Sequence, residues 1–166
     1  FFSVSIAAEL EGELVAGAVH DPVAHETFAA ALGAGATLNG SPIHVSAIAD
    51  LESALLVTGF PYDVREHPER VLPAFQAFLS RAQGVRRDGS ATLNLCYIAM
   101  GRFDGFWEPR LAPWDTAAGT LIVREAGGRV SNYRGGAFDL GGGEILASNG
   151  ALHAGMMTVL AQTGAR

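Results

Sequence analysis

The sequence contains no lysine and a single cysteine, Cys96. All 11 basic residues are arginine, and the formal net charge is -6. A nucleic-acid-binding surface normally shows clustered positive charge, so this balance argues against a nucleic-acid partner. One cysteine excludes an internal disulfide framework and a multi-cysteine metal site, and it is typical of a reducing cytoplasm.

Long apolar runs are also missing. No stretch approaches the roughly 20 apolar residues that span a bilayer, so we expect no membrane partner and a cytoplasmic protein. Charged residues make up 17% of the chain, less than the usual quarter or so. Hydrophobic residues make up 49%, which is enough for one sizeable core or two small packed units.

The first third of the chain is predicted to be an antiparallel meander of four or five strands. Three stretches are predicted strands: residues 3–8, 14–19 and 25–31. Glu11-Gly12 marks a turn between the first two. Asn39-Gly40 is a strong hairpin signal because both residues tolerate positive φ. We expect the meander to end at about Ser46.

From Asp50 onward, helices and strands alternate. The predicted strands are residues 55–58, 85–88, 103–108 and 144–148. The predicted helices are residues 71–82, 90–100, 115–126 and 151–162. The change of pattern predicts two parts of one fold: residues 1–46, an antiparallel meander of a first sheet, and residues 50–166, an α/β subdomain.

Three polar clusters lie at strand ends or helix starts, where such units usually place functional groups. The first is the turn Gly89-Ser90-Ala91, which a strand enters and a helix leaves. Its backbone N–H groups favour an anion or a hydroxyl-rich ligand. An ordinary N-cap serine would give the same pattern, so both interpretations of Ser90 stay open.

The other two clusters are single carboxylates. Glu108 follows two aromatic residues at a strand end, so it either faces water or has a partner, because an unpaired buried charge is costly. Asp115 opens an otherwise apolar helix. It could cap that helix by accepting a hydrogen bond from the N–H two or three residues on, or it could bind a hard cation such as Mg²⁺.

Other chemically capable residues favour structural roles. The five histidines show no metal-ligand spacing, and Cys96 lies mid-helix among apolar neighbours. Arg86 and Arg87 are adjacent on a predicted strand, so at most one of them faces a given ligand. The triplet at residues 141–143 precedes a strand rather than a helix, which is not the context of a phosphate-binding loop.

The motifs together, in their order, resemble the inositol monophosphatase family. The most specific is Pro-Trp-Asp-Thr-Ala-Ala-Gly at residues 113–119, followed by Glu-Ala-Gly-Gly at 125–128. The resemblance covers essentially the whole chain and also includes residues 2–7, 89–91, 94–96, 101–105, Glu108 and 135–140.

This resemblance implies an α/β (α+β) protein with a layered α/β/α/β/α sugar-phosphatase fold, usually a homodimer. It implies a Mg²⁺-dependent, lithium-sensitive phosphomonoesterase that acts on inositol monophosphate or a related sugar or polyol phosphate. In that family the Asp of the Trp-Asp motif binds metal, which implies the same role for Asp115. The resemblance also implies that Gly89, Ser90, Ala91 and Glu108, with Asp115, bind the substrate.

The family's Asp-Pro-x-Asp-Gly-Thr motif and its upstream acidic ligand do not occur in this sequence. Asp21-Pro22 is followed by Val23-Ala24 and is no substitute. The chain also starts without Met inside a predicted strand. We therefore expect a longer protein, of which residues 1–166 hold the substrate-recognition half, one metal ligand and no catalytic residue.

Two alternatives to an inositol phosphatase remain. The same chemistry could serve histidinol phosphate or a nucleotide phosphate, because a hydroxyl-binding Glu and a Gly-Ser-Ala turn suit many polyols. Because the first metal motif is missing, the chain could also be a non-catalytic interaction module. The sequence alone does not separate these functions.

Overall fold

The first five strands form the predicted meander in the computed structural model, which describes residues 1–164. They are β1 (Val4–Leu10), β2 (Glu13–Asp21), β3 (Glu26–Ala31), β4 (Gly35–Leu38) and β5 (Ser41–Pro42), all antiparallel and in that order. Glu11-Gly12 and Asn39-Gly40 make the two tight turns, and all four residues have positive φ. Two such residues in a row match the twist of a hairpin, as the sequence predicts.

The second sheet mixes parallel and antiparallel pairs. Its strands are β6 (Leu55–Thr58), β7 (Gly84–Arg86), β8 (Gly105–Pro109), β9 (Arg129–Ser131) and β10 (Glu144–Ser148), in the order β7-β6-β8-β10-β9. Strand β6 runs parallel to β7 and β8, and β10 runs antiparallel to β8 and β9. The sequence analysis missed β9, because three residues are too few to show an alternating pattern.

Four helices accompany the sheets: α1 (Leu72–Leu79), α2 (Ala91–Ala99), α3 (Pro113–Glu125) and α4 (His153–Thr163). Helix α1 is shorter than the predicted 71–82. Its end is tightened by a bond from the Arg81 N–H to the Phe78 carbonyl (3.0 Å), and Pro68 belongs to a separate 3-10 helix, Pro68–Arg70. Helix α4 begins two residues later than predicted.

The elements stack in layers. Helices α2 and α3 lie between the two sheets and bury Leu95, Ile98 and Ile122 against both of them. Helices α1 and α4 pack on the other face of the second sheet, around Phe78 and Met156. This arrangement confirms the layered α/β fold class. The division at residues 46–50 into two parts stays a prediction.

This topology brings the ends of several strands and the starts of two helices to one edge of the second sheet. Strands β6 and β8 are parallel neighbours, so their carboxyl ends meet. Helix α2 follows β7, and helix α3 follows β8, so the first turns of both helices begin beside those strand ends. Such an edge of a sheet is where α/β proteins usually bind ligands.

Candidate functional site

A cleft of about 640 Å³ opens at this edge of the second sheet. It is bounded by the loop after β6, the turn before α2, the end of β8 and the start of α3. All five residues assigned to the site from the sequence line it: Gly89, Ser90, Ala91, Glu108 and Asp115. Its other lining residues include Phe60, Asp63, Arg87, Arg110 and Trp114, together with the first residues of the chain. The fold therefore brings every sequence-predicted residue into one cavity.

The Gly89-Ser90-Ala91 turn has the geometry of a helix N-cap. Ser90 is extended (φ -128°, ψ 104°), and its Oγ accepts a hydrogen bond of 3.4 Å from the Leu93 N–H. Gly89 has a φ of +99°, which a residue with a side chain rarely adopts. Ser90 therefore caps α2, and it lines the cleft at the same time.

Glu108 is buried at the end of β8. Only 8% of the residue is exposed, so it does not lie at a solvated strand end. The pKa of its carboxyl group is raised to about 7: burial is the largest cause, the positive charge of Arg87 opposes the shift, and the negative charge of Asp115 adds to it. A carboxyl group with this pKa is divided between its acid and its carboxylate at neutral pH, so it can donate or accept a hydrogen bond there.

Asp115 caps its helix, but not in the way that the sequence analysis expected. It is the third residue of α3, and its Oδ2 accepts a hydrogen bond of 3.0 Å from the N–H of Ala112, which precedes it. The expected acceptance from an N–H further along the helix is therefore wrong, because Ala112 occupies the N-cap position. The backbone carbonyl of Asp115 also accepts a 2.9 Å bond from the Thr92 hydroxyl, which joins the starts of α2 and α3.

Two arginines face the cleft in different electrostatic settings. The Arg87 guanidinium lies 5.7 Å from the centre of the Phe60 ring, and Arg86 does not line the cleft, as the alternation of strand side chains predicts. Arg110 forms an ion pair with Asp63, which also pairs with Arg70 at 3.3 Å. The sequence carried no signal for the pair of Asp63 with Arg110, because the two residues are 47 positions apart along the chain.

The described residues supply only part of a possible metal site. Asp115 is half-buried, lines the cleft and commits one oxygen to Ala112, so its other carboxylate oxygen is chemically suited to a hard cation. Within residues 1–164, no group of three or more His, Cys, Asp or Glu side chains is placed to hold a metal ion. The donor chemistry therefore fits one ligand of a Mg²⁺ site.

The residues set aside in the sequence analysis lie in structural positions. Cys96 is fully buried in α2, and burial raises the pKa of its thiol well above the usual range. His153 is also fully buried, and its two ring nitrogens contact the hydroxyls of Ser148 (2.9 Å) and Ser131 (2.8 Å). Neither side chain lines the cleft.

The layered α/β fold places this cleft at the carboxyl ends of parallel strands, where α/β proteins usually bind ligands. The family model described as "Inositol monophosphatase family" matches residues 1–165. The chain belongs to the inositol monophosphatase family.

Individual relatives agree with this assignment. The chain is 47% identical over 160 residues to an inositol-1-monophosphatase of Synechocystis. The matched region covers 96% of the chain and 56% of that protein. It is 44% identical over 148 residues to the Nus factor SuhB of Vibrio cholerae, with 89% and 55% covered. The solved structure of an inositol monophosphatase from Anabaena superimposes with a TM-score of 0.95 at 43% identity, covering 98% of the chain and 64% of that structure.

The chain thus spans a little more than half the length of the curated relatives it matches. Among residues 1–164, none of the helices has the length and apolar content needed to cross a membrane.

Proposed function

We propose that the protein carrying this chain is a Mg²⁺-dependent, lithium-sensitive phosphomonoesterase that hydrolyses inositol monophosphate or a related sugar or polyol phosphate. The observation that carries the proposal is the meeting of Glu108, the Gly89-Ser90-Ala91 turn and Asp115 in one cleft. Membership of the family and 47% identity to a relative named inositol-1-monophosphatase support it.

Each residue has a role in this proposal. Asp115 binds a metal ion through the carboxylate oxygen that does not cap α3. Gly89, Ser90, Ala91 and Glu108 bind the hydroxyl groups of the alcohol portion. The buried Glu108 carboxyl group discriminates strongly, because a ligand without the matching hydroxyl would leave it unpaired.

The chemistry in this proposal is hydrolysis of a phosphate ester. Bound metal ions would activate water, neutralise the phosphate oxygens and stabilise the leaving alkoxide. The residues of this chain orient the alcohol portion of the substrate, and such positioning supplies part of the rate enhancement of phosphoryl transfer. We expect turnover only when further metal ligands complete the site, because residues 1–164 provide no group of three.

Phosphate release from inositol 1-phosphate by the intact gene product tests the proposal. We expect activity with Mg²⁺, loss on chelation, recovery when Mg²⁺ is restored, and inhibition by Li⁺. A panel with histidinol, fructose and nucleotide phosphates identifies the preferred ester, and sedimentation measures whether the protein is the proposed homodimer. Absence of metal-dependent turnover across the whole panel would contradict the proposal.

A second candidate function is non-catalytic. It is favoured by the 44% identity to a relative named Nus factor SuhB. Complementation of a deletion strain separates the two functions. If the protein acts without catalysis, variants changed at Asp115 or Glu108 should still restore the cellular phenotype fully. Failure of an inactive Asp115 variant to complement would instead assign the phenotype to catalysis.

A further inference from the structure

Gly59 lies so close to the buried carboxylate of Glu108 that a side chain at position 59 would overlap the carboxylate where it now lies. A Cβ atom added to Gly59 would lie 2.1 Å from Oε2, 2.2 Å from Cδ and 2.2 Å from Oε1 of Glu108. Real non-bonded contacts of a Cβ atom are essentially never shorter than 3.0 Å. The carboxylate therefore occupies the volume that any side chain at position 59 would need.

The register of the second sheet explains this contact. Strands β6 and β8 are paired in parallel, with Val57 opposite Phe106 and Thr58 opposite Trp107. One step further, the same register places Gly59 beside Glu108. The Thr58 hydroxyl also donates a 2.6 Å hydrogen bond to the Trp107 carbonyl, so the two backbones are tied together immediately before this pair.

The backbone is therefore the fixed partner in this contact, and the carboxylate is the movable one. Gly59 and Thr58 are buried, whereas the Glu108 carboxylate is the far end of a flexible side chain that lines an open cleft. Gly59 has no positive φ, so an alanine there meets no backbone strain. Its methyl group would move the carboxylate rather than unfold the sheet.

We propose that Gly59 is a positioning residue that determines where the Glu108 carboxylate lies in the cleft. It thereby determines which substrate hydroxyl the carboxylate contacts. This inference rests on the proposed function for its catalytic consequence, whereas its structural part is independent of any activity. No side chain that touches substrate is needed at position 59, because the missing Cβ atom is itself the determinant.

The test is Gly59→Ala in the intact gene product, assayed with inositol 1-phosphate and with a simple alkyl phosphate that has no further hydroxyl. We expect KM for inositol 1-phosphate to rise about tenfold, the cost of one misplaced hydrogen bond to a charged group, with a smaller change in kcat. The alkyl phosphate should show no change, because it has no hydroxyl for Glu108 to contact. Equal losses on both substrates would overturn the proposal, since general damage to the fold affects both.

A double-mutant cycle that combines Gly59→Ala with Glu108→Ala is the second test. Once the carboxylate is removed, Gly59→Ala should have no further effect on KM or on Tm, whereas independent sites would give additive effects. Gly84→Ala is the matched control: Gly84 lies on β7 beside β6, and a Cβ there meets Leu55 Cδ1 at 3.5 Å and Arg86 Nη1 at 3.9 Å, both ordinary contacts. Additive effects in the cycle would overturn the proposal.

The two proposals can fail separately. If the intact protein with Gly59 shows no turnover on any ester, the proposed function fails, and the positioning role is then judged by the Tm cycle and by a crystal structure of Gly59→Ala. That structure should show the Glu108 carboxylate displaced by more than 1 Å with the β6 backbone in place. A carboxylate that has not moved would overturn the positioning role whatever the activity.

Discussion

The Asp115 carboxylate caps its own helix and also lines the cleft. One oxygen accepts the Ala112 N–H, and the other is left for a ligand. The cap alternative and the metal alternative of the sequence analysis are therefore compatible, because a carboxylate has two oxygens and several lone pairs.

Asp115→Asn separates the two roles. The amide oxygen still accepts the Ala112 N–H, so we expect the free energy of unfolding to change by less than about 1 kcal/mol. The charge is lost, so the Mg²⁺ concentration for half-maximal activity should rise at least about tenfold and turnover should fall sharply. Metal titrations of phosphate release and thermal melts measure the two effects.

Asp50→Asn is the matched control for this change. Asp50 caps a 3-10 helix by accepting the Ser53 N–H at 2.9 Å, and it does not line the cleft. The control should leave the metal requirement unchanged. An Asp115→Asn protein that is unstable but fully active in its folded fraction would mean that the residue is only a cap.

His153 makes the fold sensitive to acid. The pKa of its imidazole is lowered from 6.5 to about 4, mainly by burial and also by the positive charge of Arg129. The folded state therefore keeps the neutral ring, while the unfolded chain binds a proton below pH 6.5. Stability from this group is fully present above pH 6.5 and is lost as the pH falls toward 4, by about 3 kcal/mol in all.

His153→Gln should remove this component of the acid sensitivity. We expect the variant to be less stable at pH 7, because glutamine cannot replace both serine contacts, but to lose less stability between pH 7 and pH 4.5 than the parent. Urea unfolding at several pH values measures this difference. His25→Gln, at an exposed turn, should leave the pH profile unchanged. Parallel profiles for the parent and His153→Gln would contradict the assignment.

At the scale of elements, the packing of α2 against α3 depends on a glycine inside a helix. Gly119 lies in the middle of α3, where alanine would normally be favoured by up to about 1 kcal/mol. A Cβ at this position would come within 2.6 Å of Leu95 Cβ on α2. The glycine allows the two helices to approach closely in the layer between the sheets.

Gly119→Ala should therefore destabilise the protein by about 1–3 kcal/mol, because overpacking outweighs helix propensity. Gly155→Ala in α4 is the control, since its Cβ would meet only Leu51 Cδ1 at 3.8 Å. That change should be neutral or stabilise by up to about 1 kcal/mol. Chemical denaturation of both variants gives the comparison, and equal effects would contradict the close-packing argument.

At the scale of the whole molecule, the first sheet carries an exposed apolar face. Val4 and Ile6 are 56% and 66% exposed, and they point to the same side of β1. Alanines of β2 lie opposite along the same face, with Ala18 paired to Ile6. A continuous exposed apolar surface of this kind favours association.

Val4→Thr combined with Ile6→Thr should lower the fluorescence of a hydrophobic dye bound to the folded protein. The free energy of unfolding should change by no more than about 0.5 kcal/mol per site, because both side chains are mostly in water. Val23→Thr, at an isolated site that is 69% exposed, should leave dye binding unchanged. Unaltered fluorescence of the double variant would exclude this face as the binding surface.

Local patterns were sufficient for most elements of the fold. The two positive-φ turns, strand β6 at residues 55–58 and strand β10 at 144–148 follow from a few consecutive residues, because backbone preference and alternation act over that range. The Ser90 cap is equally local. Helix ends were less accurate, and β9 was missed, since neighbouring layers determine where such short elements stop.

The environment of the cleft depends on contacts between distant segments. Glu108 lies against Gly59, and burial raises its pKa, while Arg87 opposes the shift and Asp115 adds to it. Gly59 and Arg87 come from segments well before Glu108 in the chain. From the sequence alone, Glu108 was expected either to face water or to have a partner. The sequence does not distinguish these two environments, since burial depends on atoms far away along the chain. Residue types and short-range order are thus local properties, whereas the charge state and position of a cleft carboxylate follow from packing.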